Sequence, residues 1–327
     1  MNVAIIAGMS LLSPLASSMF TPGIQQIADD FGVDVQPVIA TTTGFVILLG
    51  IGPLIIAPLS ETFGRKALYI VCFGMFALLQ IPTALSPNVA FLIAMRTLSG
   101  FFGSVGIANG GGSLSDMFPP AERAGIFGYY LLGPLLGPTL GPLFGGIITQ
   151  RLGWRWIYWV LAMVCALNVT FGFFFLRETY APTLLARRKQ RLEQQSAADG
   201  KKYRFEGEDE RPMWKKILHS FKRPIKILSH PIVMTMSLYQ ALIFGTTFSI
   251  YTNMQDIYGG EYGFDTEQIG LLFLGPGFGF LTAVWFLVPR IDSVYNALGK
   301  KHGGGRPEFR LPLANIGAVL IPVSLFW

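Results

Sequence analysis

Gly128-Tyr-Tyr-Leu-Leu-Gly133-Pro134-Leu-Leu-Gly137-Pro138-Thr-Leu-Gly141-Pro142-Leu-Phe-Gly145-Gly146 lies inside an apolar run from about 124 to 148, and its spacing decides the fold. Gly133, Gly137, Gly141 and Gly145 recur every four residues, so on a helix they share one face. Bare backbone along that face lets a second helix approach closely, as in small-xxx-small packing within lipid. Pro134, Pro138 and Pro142 form an adjoining stripe that removes backbone hydrogen bonds, which predicts a bent helix.

The rest of the chain supplies the lipid setting. Its 327 residues are 51% hydrophobic and only 13% charged, with a mean hydropathy of +0.49, too little polar surface to cover a soluble globule. Apolar runs near the roughly 20 residues that cross a bilayer occur at 3–21, 38–60, 67–85, 89–114, 124–148, 156–176, 232–252 and 268–288. A ninth begins at Leu311 and is cut off at Trp327. No Lys or Arg precedes the first run, which is also longer than a signal-peptide core, so it reads as a span. Cys72 and Cys165 lie inside apolar runs and read as buried small side chains rather than a disulfide or metal pair.

Orientation follows from the 25 Lys and Arg residues. With the N-terminus inside, cytoplasmic loops hold Arg65, Lys66, Arg123, the bases from Arg177 to Lys226, then Arg290, Lys300, Lys301, Arg306 and Arg310. Only Arg151 and Arg155 fall outside, whereas Asp29, Asp30, Asp34, Asp256, Glu261, Asp265 and Glu267 occupy outer loops. The net charge of +6 therefore describes a membrane inner face, and nucleic acid is not an expected partner.

Six closely spaced spans precede a polar stretch, which divides the chain into an N-terminal six-helix bundle (1–178), a cytoplasmic linker (179–230) and a partial C-terminal bundle (231–327). In the linker, Arg187-Arg188-Lys189-Gln190-Arg191 and Glu206 to Arg211 read as solvated charge runs. Trp214, Ile217, Leu218, Phe221, Ile225 and Leu228 recur at helical spacing among bases, predicting a helix on the inner leaflet interrupted at Pro224.

Arg96, four residues before Gly100, is the only charged residue well inside a predicted span. Counted from Asn88 it sits roughly 10 Å deep, where a base costs about 2.5 to 3.5 kcal/mol. Two readings stand: a functional cation in a polar cavity, or a side chain snorkelling to the outer surface.

These features resemble the major facilitator superfamily. Residues 128–146 match its antiporter motif, G-x8-G-x3-G-P-x2-G-G, at every specified position. Ala57-Pro-Leu-Ser-Glu61-Thr62-Phe-Gly64-Arg65-Lys66 is similar to its loop signature, G-x3-D-R-x-G-R-R, with Ala57, Glu61 and Thr62 departing from it. Physically, Gly64 permits a tight turn, Arg65 and Lys66 suit anionic headgroups, and Glu61 suits a helix N-terminus or a base. Arg96 and Gly100 match R-x-x-x-G. Gly153-Trp-Arg155-Trp-Ile-Tyr-Trp, Glu178-Thr-Tyr-Ala-Pro-Thr-Leu-Leu and Arg306-Pro-Glu308-Phe-Arg310-Leu-Pro narrow the resemblance to the fungal drug:proton antiporter branch with twelve spans.

The resemblance implies an all-α membrane protein with a major-facilitator-type helical bundle, a six-helix N-terminal half facing an incomplete C-terminal half. It implies proton-coupled efflux of small lipophilic or cationic compounds, of multidrug or polyamine type, by alternating access. Gly270, Gly275, Gly277 and Gly279 of span eight are then expected against the glycine face of span five. Gln80, Asn109, Tyr129, Asn168, Tyr239, Gln240 and Phe244 are candidate substrate contacts, suited to lipophilic cations. No Asp, Glu or His lies deep in a complete span, so the proton path uses water and Arg96 or a group outside this chain. Expected partners are substrate, protons and lipid, with the protein monomeric, multi-pass in the plasma membrane and free of metal or cofactor. No catalytic motif appears in any loop, so an enzyme is not expected. Alternatives are a non-transporting receptor or sensor on the same fold, or an inactive truncated transporter.

Overall fold

The computed structural model describes residues 1–119, 123–195, 203–205, 221, 224, 226–301, 309, 312 and 314–326, which are almost entirely helical. Eight spans are long and apolar enough to cross a membrane: Asn2–Phe31, Val35–Phe63, Arg65–Ala84, Val89–Met117, Gly125–Leu152, Arg155–Phe175, Pro231–Glu261 and Thr266–Lys301. They are called spans one to eight below, and the eight predicted runs fall on them. Helix Ala314–Phe326 occupies the predicted ninth run. The predicted inner-leaflet helix around Trp214 and the stretch from Arg306 to Leu311 lie largely outside the described residues.

Local chemistry sets the boundaries. Span one breaks at a tight turn, Thr21–Gly23, where Pro22 lacks an N–H, and resumes as Ile24–Phe31. Gly32 ends it at φ +63°. Spans two and three are joined by Gly64 alone, at φ +95°, a conformation that a residue with a Cβ resists. Asn88 caps span four by accepting the Phe91 N–H at 2.8 Å, and that span breaks at Ser104 between Gly103 and Val105. Asp265 and Gln268 form a reciprocal capping box at the start of span eight. Span five is one continuous helix, Arg123–Leu152, with Pro134, Pro138 and Pro142 inside it.

Spans one to six share one buried core, in which Phe45, Phe73 and Phe76 pack ring against ring and Trp154 meets Tyr158 edge-on. Small polar residues line its interior: Ser10, Ser13, Ser17 and Ser18 of span one are all buried. Large apolar side chains such as Val71, Leu78, Leu167 and Phe174 face outward instead. That is the arrangement a lipid solvent favours. Spans seven and eight contribute a second small cluster of Tyr251, Ile269 and Phe273, while Leu238, Leu242 and Phe244 of span seven remain exposed.

Candidate functional site

Arg96 is built into the middle of the six-helix core. Gly100 lies one turn later, where its backbone meets the Phe45 carbonyl so closely that a Cβ would overlap it. This approach brings span two against span four and lays the Phe45 ring 4.6 Å from the guanidinium carbon. Phe20 and Tyr158 stand on it at 5.2 and 5.5 Å. Where span one breaks, the Phe20 N–H turns to the Ser18 carbonyl, and the Ala16 carbonyl accepts both terminal guanidinium groups at 3.2 Å. Arg96 is fully buried, with its Nε and the Tyr158 hydroxyl lacking a hydrogen-bond partner among the described residues.

The guanidinium thus points inward to span one rather than snorkelling outward, and its enclosure is an aromatic cage rather than the polar cavity expected from sequence. Desolvated cation–π contacts contribute up to about 2 kcal/mol each, and a charge-assisted hydrogen bond about 1.5 to 3 kcal/mol. Together these are large enough to offset the roughly 3 kcal/mol insertion cost without a carboxylate. No carboxylate among the described residues pairs with Arg96.

Span five is a wedge with two working faces. Its glycine face is occupied by span one: a Cβ on Gly133 would lie 2.5 Å from the Ala7 carbonyl, and one on Gly137 would lie 2.7 Å from Pro14 Cβ. Gly141 abuts Ser18 and Gly145 the Met19 carbonyl even more closely. Gly128 is buried on the same helix. The expected contact with span eight exists, but on the opposite side of the helix. There a Cβ on Gly270 would lie 2.8 Å from the Pro142 carbonyl, one on Gly277 2.6 Å from Thr139, and one on Gly146 2.6 Å from the Thr266 carbonyl. Gly275 and Gly279 face open space. Spacing by four identified the bare face correctly, and span one, nearer in the bundle, fills it.

Two charged clusters tie the helix ends together. At the end rich in bases, the Glu178 carboxylate accepts the N–H groups of Arg65 and Lys66 at 2.9 and 3.2 Å, capping span three, and those of Thr179 and Tyr180. Glu178 also fills the space beside Gly64. Arg65 is buried against Asp116 at 3.2 Å, Ser60 and the Tyr180 ring. It is therefore an internal tie, not the headgroup anchor expected, and Glu178 takes the helix-capping role expected of Glu61. Lys66 donates to the Phe173 carbonyl at 2.9 Å. Glu61 makes no ion pair among the described residues. At the other end, Asp30 accepts from Trp154 Nε1 at 2.7 Å and pairs with Arg155 at 3.1 Å, while Arg151 pairs with Glu267 at 3.0 Å. The two bases that broke the charge asymmetry each have an acid from a neighbouring helix, Asp30 at the end of span one and Glu267 at the start of span eight.

A family model of the Major Facilitator Superfamily matches residues 6–327, spanning this whole arrangement. The chain belongs to the major facilitator superfamily. It is 39% identical over 324 residues to the MFS-type transporter penM of Penicillium rubens, covering 98% of this chain and 63% of that protein. It is 35% identical to the efflux pump radE of Floropilus chiversii, covering 99% of this chain and 61% of the pump. The chain thus spans somewhat under two thirds of the length of these relatives. The structure of the proton:xylose symporter XylE bound to 6-bromo-6-deoxy-D-glucose superposes with a TM-score of 0.62 at 14% identity, covering 91% of this chain and 71% of that one. At that identity the likeness concerns the fold. Membership makes this an integral multi-pass protein of a transporter family, not an enzyme.

In this superfamily member the sequence-predicted substrate contacts differ in burial. Asn109 is fully buried on span four, with neither amide atom partnered among the described residues. Gln80 is buried and donates to the Phe76 carbonyl, and Asn168 is half-buried beside Gly8. Tyr129, Tyr239, Gln240 and Phe244 are exposed. Tyr130, not singled out from sequence, is the inward tyrosine: its hydroxyl donates to the Gly106 carbonyl at 3.1 Å and its ring lies on Gly110. Its phase with Gly133 and Gly137 was the available signal. Phe20, Phe45 and Tyr158 were also missed, because a cage drawn from three spans leaves no local pattern.

Proposed function

We propose that the intact transporter is a proton-coupled antiporter that expels small lipophilic or cationic compounds, of multidrug or polyamine type, by alternating access. The observation that carries this reading is span five: a helix matching the antiporter motif throughout, packed on span one by one face and on span eight by the other. A helix gripped on both sides couples movement of one bundle to the other while keeping the seam between them closed to leak. The buried, carboxylate-free Arg96 supports the reading, since a fixed positive charge inside the six-helix core disfavours a second cation close by. The 35% identity to an efflux pump is consistent with export. Asn109 and Gln80 are the substrate contacts most in keeping with their burial. The basic end, with the N-terminus and the 179–230 linker, faces the cytoplasm of a plasma membrane.

The test uses the full-length protein in proteoliposomes. Tetraphenylphosphonium and spermidine serve as probes, with and without an imposed pH gradient, and proton flux is followed in parallel. Gradient-dependent probe movement with counterflow of protons is expected for at least one probe. Probe movement indifferent to the gradient would remove the proton coupling, and specific binding without movement would favour a sensor.

A further inference from the structure

The chain past span six does not simply enter solvent. Ala181–Gln195 is a helix of 15 residues. Its start is fixed to the bundle, because Glu178 caps span three and the Thr183 methyl lies 3.3 Å from where a Gly64 Cβ would stand. That places its first turn level with the beginning of span three, at the boundary of the basic end.

At about 100° per residue, Leu184, Leu185, Arg188, Arg191 and Leu192 fall within one arc, and Thr183, Ala186, Gln190 and Glu193 fall opposite. Leu184 and Leu185 are exposed, at 45% and 40%. Arg187, Arg188 and Arg191 are exposed and form no ion pair among the described residues. The helix's one acid, Glu193, is turned to its own chain, accepting the Tyr203 N–H at 3.3 Å. One arc therefore carries leucines and unpaired bases together, with the polar residues behind it.

We infer that this helix binds the surface of an anionic bilayer, seating Leu184 and Leu185 at the acyl boundary and its arginines among phosphatidylserine headgroups of the leaflet at the basic end. The mixture selects this occupant. A zwitterionic surface satisfies the leucines but not the bases, and a nucleic acid or acidic protein satisfies the bases but leaves the leucines in water. Through Thr183 and Glu178, the lipid contact is joined to the Gly64–Lys66 turn between spans two and three.

The chain's own cysteines, Cys72 and Cys165, are buried, so an environment-sensitive fluorophore can be placed selectively at L185C or Q190C. The labelled protein goes into nanodiscs of phosphatidylcholine alone or with phosphatidylserine, each containing brominated acyl chains as quencher. Expected is quenching at position 185 that rises with phosphatidylserine and falls with salt, and little at position 190. The triple variant R187Q/R188Q/R191Q on the L185C background should lose the lipid-charge dependence. Equal quenching at both positions, or a dependence that survives the triple variant, overturns the proposal. So does protection of position 185 by soluble polyanion such as RNA without phosphatidylserine.

Discussion

A guanidinium meets the demands at position 96 through its shape as much as its charge. It is planar and weakly hydrated, so it accepts the rings of Phe20, Phe45 and Tyr158 while two of its nitrogens share the Ala16 carbonyl. Lysine keeps the charge but offers a compact, strongly hydrated ammonium that neither stacks flat nor bridges the carbonyl. Arg96→Ala is expected to abolish transport while leaving membrane insertion intact. Arg96→Lys should retain only a small fraction of the activity, and Phe45→Leu should lower it at least severalfold by removing the nearest ring. Transport assays paired with a membrane-extraction control check all three; a fully active lysine variant would reduce Arg96 to a generic positive charge. Sequence alone showed that one base lay deep in a span beside Gly100. It could not show the cage, because Phe20, Phe45 and Tyr158 come from spans one, two and six and look individually like lipid-facing or packing residues.

Span five separates two roles that its composition merges. Glycines at 133, 137, 141 and 145 hold span one inside the six-helix bundle, whereas Gly270 and Gly277 of span eight rest on the other side of the same helix. Substitutions on the two faces should therefore differ in kind. Gly141→Leu drives a branched side chain into Ser18 and Met19 and is expected to cost folding, by more than the about 1 to 3 kcal/mol typical of overpacking, visible as a much lowered unfolding temperature in detergent. Gly270→Leu pushes first against the Pro142 carbonyl and Leu143, in the seam between spans five and eight, so the unfolding temperature should move little while proton leak rises. Equal loss of thermal stability in both variants would contradict this division. The periodicity made the bare face legible, and the glycines of span eight were legible as a second small-residue surface. Which helix fills which face was not, since spacing fixes an angle around one axis and says nothing about the neighbour standing there.

At the scale of the molecule, hydropathy already placed the spans, and charge suggested a division into 1–178, a polar linker and 231–327. The buried apolar residues form two separate clusters. The large core from Ile6 to Leu176 is supplied by spans one to six and the residues that flank them, whereas among the described residues spans seven and eight cluster only Tyr251, Ile269 and Phe273. What joins the two parts, among the described residues, is mainly the seam of spans five and eight with its Arg151–Glu267 pair, which is largely exposed on the arginine side and so worth about 1 kcal/mol or less. A bundle with its own core and a thin seam should survive losing its neighbour. Cleavage at an engineered protease site between residues 196 and 202, followed by separation of the fragments, is therefore expected to leave spans one to six cooperatively folded. Trp154, buried against Phe31 and Tyr158, reports on that state. Its fluorescence should hold its buried emission and show one sharp thermal transition within a few degrees of the uncut protein. A broad transition, or emission shifted to that of a solvated indole, would mean that the seam and not the core holds the six helices together.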